Sequence, residues 1–135
     1  MISTKTPEEI RIMRESGKIL ATVMKELERR VKPGITTKEL DELAEELIFK
    51  SGGTPSFKGY QGFPANICVS INEEIVHGIP GDRIIADGDI VSIDLGVNYK
   101  GYFSDAAITL PVGKVSPKVK KLIEVTKKAL SEGIR

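Results

Sequence analysis

Apolar positions along the chain change period twice: helical spacing first, alternation in the middle, helical spacing again at the end. Ile10, Met13, Ile19, Leu20, Val23, Met24, Leu27 and Val31 form the first stripe. Thr6-Pro7-Glu8-Glu9 opens that helix with a capping threonine, a proline at the first helical position and a glutamate three residues after the cap. Pro33-Gly34 stops it. A second box, Thr36 to Glu39, opens a helix with Leu40, Leu43, Ala44, Leu47 and Ile48 inward, and Gly52-Gly53 closes it. "TPSFKGYQGFP" (54–64) has no period and reads as a loop or irregular edge. "NICVSI" and "EIVHGI" are short β-branched runs on either side of Asn72-Glu73, a hairpin pattern. "GDRIIADGD" is a turn-rich link into a strand from Ile90 to Leu95, and a return strand runs from Tyr102 to Leu110. Ser116-Pro117 caps a last amphipathic helix carrying Val119, Leu122, Ile123, Ala129 and Leu130. Helices around consecutive antiparallel hairpins predict an α+β fold, with residues 1–135 forming one domain.

Composition narrows the function classes. The chain has 135 residues, a net charge of +1 and interspersed lysines and glutamates, which leaves no electrostatic footprint for nucleic acid. No apolar run is long enough for a membrane span, and "MISTKTPEEI" lacks signal-peptide character. The one cysteine, Cys68, excludes an internal disulfide and suits a reducing cytoplasm. Lys100 and the helix charges read as solvated surface.

The chemistry gathers in "SIDLGVNYKGYFSDAA" (92–107). Alternation places Val91, Ile93, Leu95 and Val97 on one apolar face and Ser92, Asp94 and Gly96 on the other. A turn centred on Tyr99-Lys100 pairs Asn98 with Gly101 and sets Asp94 directly across from Asp105. A type I turn with Gly101 left-handed keeps the two near one another. Both carboxylates then share a face, where opposed like charges are destabilising. A divalent cation would remove the conflict, and oxygen donors favour manganese, iron, cobalt or zinc over copper(I). The alternative is that the hairpin is exposed and the acids are merely solvated. His77, the one histidine, stands in "VHGIPG" where a strand breaks into a turn; it is either a functional side chain or one simply hydrogen-bonded there. Cys68 reads as small core filler rather than a nucleophile, since no histidine remains to activate it. Phe57 and Tyr60 are either loop anchors or the wall of an apolar side-chain pocket.

Taken together, "NICVSINEEIVHGIP", "DGDIVSIDLG" and "GYFSDAAITL", flanked by "TPEEI" and "PGITTKELDELAEELI", resemble the N-terminal half of the type I methionine aminopeptidases. The resemblance covers nearly the whole chain. It implies half of a pita-bread fold and a role in removing the initiator methionine from peptide N-termini at a centre of two divalent metal ions. It implies Asp94 as a ligand of one ion and Asp105 as a bridge between two. His77 would touch the substrate and stabilise the tetrahedral intermediate, and Phe57, Tyr60 and Cys68 would line the methionine pocket. The family's remaining ligands, one histidine and two glutamates from a pseudo-symmetric second half, have no counterparts here. The expectations are therefore weak metal binding and little or no activity by this chain alone. The alternative is a non-catalytic half-domain that self-associates or pairs with a missing C-terminal half.

Overall fold

The structure, a computed structural model, describes residues 4–135. Helix α1 spans Pro7–Arg30 and α2 spans Thr37–Lys50. Both begin where the capping boxes place them. The Glu9 carboxylate accepts from the Thr6 amide at 2.7 Å while Thr6 Oγ1 accepts from the Glu9 amide at 3.3 Å. Thr36 and Glu39 repeat the exchange at 2.7 and 3.1 Å. Each box satisfies helix-end amides that would otherwise lack partners. Replacing Thr36 with alanine is expected to lower unfolding free energy by about 1 kcal/mol, measured by urea denaturation. Glu9 also accepts the Tyr102 hydroxyl at 2.7 Å, which fastens the start of α1 to the sheet. The Thr6 amide and then the Tyr102 hydroxyl hold its carboxyl down to about 2.

Four antiparallel strands follow: β1 (Thr54–Pro55), β2 (Ile67–Ile71), β3 (Ile90–Tyr99) and β4 (Tyr102–Pro111). β3 is the centre. β4 pairs with it along its whole length, while β2 and β1 share its other edge, β2 against residues 91–95 and β1 against residues 97–98. Alternation along β3 comes out as the sequence predicts: Val91, Ile93, Leu95 and Val97 are fully buried. They pack with Ile67, Val69 and Ile71 of β2 against Leu20, Val23, Met24 and Leu27 of α1 and Leu40, Ala44 and Ile48 of α2. Ser16, buried in α1, bonds to the Val97 carbonyl at 3.2 Å and the Ser104 hydroxyl at 2.8 Å. One sheet face is thus covered by helices, and the other carries the polar alternates.

Two expectations change. "EIVHGI" is not a strand, so there is no hairpin at Asn72-Glu73. The Glu74 carboxylate caps the end of β2 by accepting from the Ile71 amide at 2.8 Å, and the chain leaves the sheet as an arm with Ile75 89% exposed. The β3–β4 turn comes one residue later than Tyr99-Lys100: Tyr99 pairs with Tyr102, and Lys100 and Gly101 both take positive φ, 52° and 83°. Two left-handed residues are what a tight hairpin turn matched to strand twist requires, and the Gly101 amide donates to Asn98 Oδ1 at 3.0 Å. The register therefore moves by two. Helix α3 (Pro117–Ile134) forms behind the Ser116 cap, yet none of its residues is buried. Leu122 and Leu130 of its apolar stripe are 62% and 65% exposed.

Candidate functional site

The moved register places Asp94 opposite Ala107, and Asp105 opposite Gly96. The two aspartates are diagonal neighbours, not a directly opposed pair. They still share the open face, because a shift of two conserves side-chain direction. Cys68 lies directly across from Asp94 on the other edge of β3. Asp94 is half-buried and Asp105 exposed.

Burial, then the charge of Asp105, raises the Asp94 carboxyl above the ordinary aspartate value, with His77 pulling the other way. Its Oδ1 is buried with no hydrogen-bond partner. Asn66 Oδ1 is likewise buried and unpaired among the described residues; an orphaned carboxylate oxygen is costly and calls for a partner such as a water or a cation. The same surroundings act on Cys68: burial, then the charges of Asp94, Asp105 and Asp41, push its thiol up to about 11. It stays protonated at neutral pH, as a pocket wall rather than a nucleophile.

Phe57, Tyr60, Cys68, His77, Asp94 and Asp105 all border one open cavity of about 630 Å³. The sequence singled out these six separately, and the fold brings them together. Five further residues line it, Gln61, Gly62, Phe63, Pro64 and Ile79, and of these the large apolar Phe63 and Ile79 were missed. Phe63 meets Phe57 edge-to-face with ring centroids 6.5 Å apart, so the aromatic wall is a packed pair. "FKGYQGFP" held that signal, since a third aromatic repeats three residues after Tyr60. Gly96 makes the approach of this wall possible. A Cβ there would run into Ser56 Oγ and lie 2.8 Å from the Phe57 ring and 3.4 Å from Asp105 Oδ2. Only glycine lets the loop after β1 settle onto the sheet beside an aspartate.

His77 enters from the arm rather than from a strand. Its φ is +59°, a left-handed conformation that a non-glycine residue adopts rarely and that marks functional sites more often than chance.

Two carboxylates, one with a buried unpaired oxygen, suit a hard or borderline divalent cation. Among the described residues no third histidine, cysteine, aspartate or glutamate joins them in a metal-holding cluster. The donors present fit part of a metal centre.

A model of metallopeptidase family M24 matches residues 11–135. The chain belongs to metallopeptidase family M24. Within that family it is 56% identical to methionine aminopeptidase 1 of Bacillus subtilis over 135 residues, covering 100% of this chain and 54% of that protein. The methionine aminopeptidase of Clostridium perfringens is 52% identical over 134 residues, covering 99% of this chain and 54% of its own length. Among solved structures, the methionine aminopeptidase of Rickettsia prowazekii superimposes with a TM-score of 0.96 at 39% identity, over 99% of this chain and 54% of that one. The M24 likeness extends more loosely to a prolidase from Pyrococcus furiosus, with a TM-score of 0.82, 27% identity, and 93% and 36% coverage. The chain spans about half the length of the curated relatives it matches. Its architecture is accordingly half of the pita-bread fold that these M24 structures share. No helix among the described residues is long and apolar enough to cross a membrane.

Proposed function

We propose that the chain forms the N-terminal half-domain of a cytoplasmic methionine aminopeptidase and contributes two ligands, Asp94 and Asp105, to its metal centre. The observation that carries this reading is the convergence of both aspartates, His77 and an aromatic wall on one cavity, with Asp94 Oδ1 buried and unpaired. The family name, metallopeptidase, supports divalent metal use. Cobalt, manganese, iron and zinc all suit the oxygen donors. When bound, such a metal supplies Lewis-acid chemistry at the scissile carbonyl. The chain's own residues do the rest. Phe57, Phe63, Tyr60, Ile79 and the neutral Cys68 thiol form a mostly apolar wall fitted to an unbranched thioether side chain. His77 reaches the same space and can donate a hydrogen bond to a carbonyl oxygen as it gains negative charge.

The remaining ligands come from outside these residues, so peptide turnover is expected only when a second segment supplies them. The test is methionine release from a methionyl tripeptide with manganese or cobalt, by the chain alone and with the other half of a relative added. Release is expected in the mixture, falling at least about 100-fold when Asp94 and Asp105 become asparagine. Release that is indifferent to both substitutions would overturn the assignment.

A further inference from the structure

The arm between β2 and β3 carries His77, and its buried apolar anchor, Ile85, lies eight residues further on; around His77 itself nothing apolar holds it in place. Ile75, Val76 and Ile79 are 89%, 65% and 62% exposed. Near His77 the fixed points are polar, and two are buried hydroxyls. Ser70 of β2, 4% exposed, accepts from the Gly78 amide at 3.0 Å, while the Val69 amide donates to the Gly78 carbonyl at 2.9 Å. Thr37 of α2, 3% exposed, donates its hydroxyl to the Gly81 carbonyl at 2.9 Å and accepts from the Gly81 amide at 2.9 Å. The first-turn amides of α2 join in: Thr37 donates to the Arg83 carbonyl at 3.0 Å and Lys38 to that of Gly81 at 2.9 Å. Helix-end amides that usually face solvent or a cap are here directed at the arm.

We propose that Ser70 and Thr37 are positioning residues, holding residues 78 and 81 so that His77 keeps its left-handed backbone and its place on the cavity wall. The Gly78 clamp acts on the residue next to His77. A Cβ at Gly78 would collide with the Val69 carbonyl, so the arm docks this closely only as His-Gly. The Gly81 clamp fixes the far end, four residues from His77, across the rigid Pro80. Both clamps lie on the C-terminal side of His77, Gly78 held by a strand and Gly81 by a helix end, while on the N-terminal side Glu74 is bonded to Ile71; with the chain fixed at these points the left-handed histidine does not relax to ordinary φ. Hydroxyls suit this role because a buried donor–acceptor pair has a narrow geometry, whereas apolar contact does not.

The inference rests on reading His77 as a site residue, but its test reads His77 itself and needs no peptide turnover. His77 is the sole histidine, so its imidazole gives one unambiguous set of ¹H–¹⁵N signals. Ser70→Ala and Thr37→Val are each expected to shift and broaden those signals, and Thr37→Ser to restore them. Ring signals identical to wild type in both variants, with only the melting temperature lowered, would mean that the hydroxyls serve stability alone and overturn the proposal. Should the variants not fold, hydrogen exchange on the wild-type chain decides. The Gly78 and Gly81 amides are expected to exchange at least about tenfold more slowly than in a free peptide, and unprotected amides would overturn it equally.

Discussion

Replacing Ile93 with alanine is expected to lower the unfolding free energy by about 3–4 kcal/mol, within the range for buried isoleucine truncations. Ile93 is fully buried at the middle of β3, paired with Val69 on one edge and Ile108 on the other. Its side chain meets the helix-covered face, where α1 and α2 close over the sheet. Truncation removes apolar transfer energy and also leaves a void, because three elements meet there and none can move inward alone. A whole domain is typically stable by only about 5–15 kcal/mol, so this one change consumes a large share. Ile84→Ala is the control: Ile84 is 61% exposed, and its truncation is expected to change stability by less than about 0.5 kcal/mol. Denaturant midpoints of the two variants check the contrast. Equal losses would show that the β3 face is not the core.

That contrast also marks how far the sequence could be read. Ile93 was legible because alternation in a strand is a local rule, and every apolar residue on that face of β3 is buried. The capping boxes were legible for the same reason, since cap and glutamate lie within four residues in both. "EIVHGI" misled because β-branched composition says only that a strand is possible. Whether a partner strand exists is a tertiary matter, and here Glu74 ends β2 first. The turn falls one residue later than expected because Lys100 gives no sign in the sequence that it will accept a positive φ; the tight turn follows from strand twist. In α3 the apolar stripe is real, yet periodicity cannot show what it packs against. The six candidate residues that border the cavity were singled out because each carried chemistry or a resemblance. Thr37 and Ser70 were not, because a buried hydroxyl in a helix's first turn or inside a strand looks like filler until its partner is known.

Replacing Asp94 with asparagine is expected to act in opposite directions with and without metal. In chelator at pH 7 the variant should be the more stable, by on the order of 1 kcal/mol, the scale of a like-charge conflict across a sheet. The sign follows from linkage. Burial first, and the charge of Asp105 second, raise the Asp94 carboxyl in the folded chain above its ordinary value. A group raised on folding keeps its full contribution below the unfolded pKa and loses it as pH rises through the folded pKa. At pH 7 the wild type carries an ionised carboxylate with one buried oxygen unpaired, a charge that asparagine does not have. The advantage of the variant should therefore vanish below about pH 3.9, where the aspartate is protonated in both folded and unfolded chains. Metal reverses the order. A cation held by the folded chain at 100 times its dissociation constant stabilises by about 2.7 kcal/mol, more than the repulsion it relieves. Adding manganese should then raise the wild-type midpoint and leave that of the variant unmoved. Denaturation at pH 3.5 and 7, in chelator and in manganese, separates the two effects. A variant no more stable than wild type at pH 7 in chelator would mean that Asp94 carries no penalty, and an undiminished manganese response would remove it from the ligand set. The expected crossing of the two stabilities ties both properties to one side chain: the carboxylate that weakens this half of the fold is the one that a cation would stabilise.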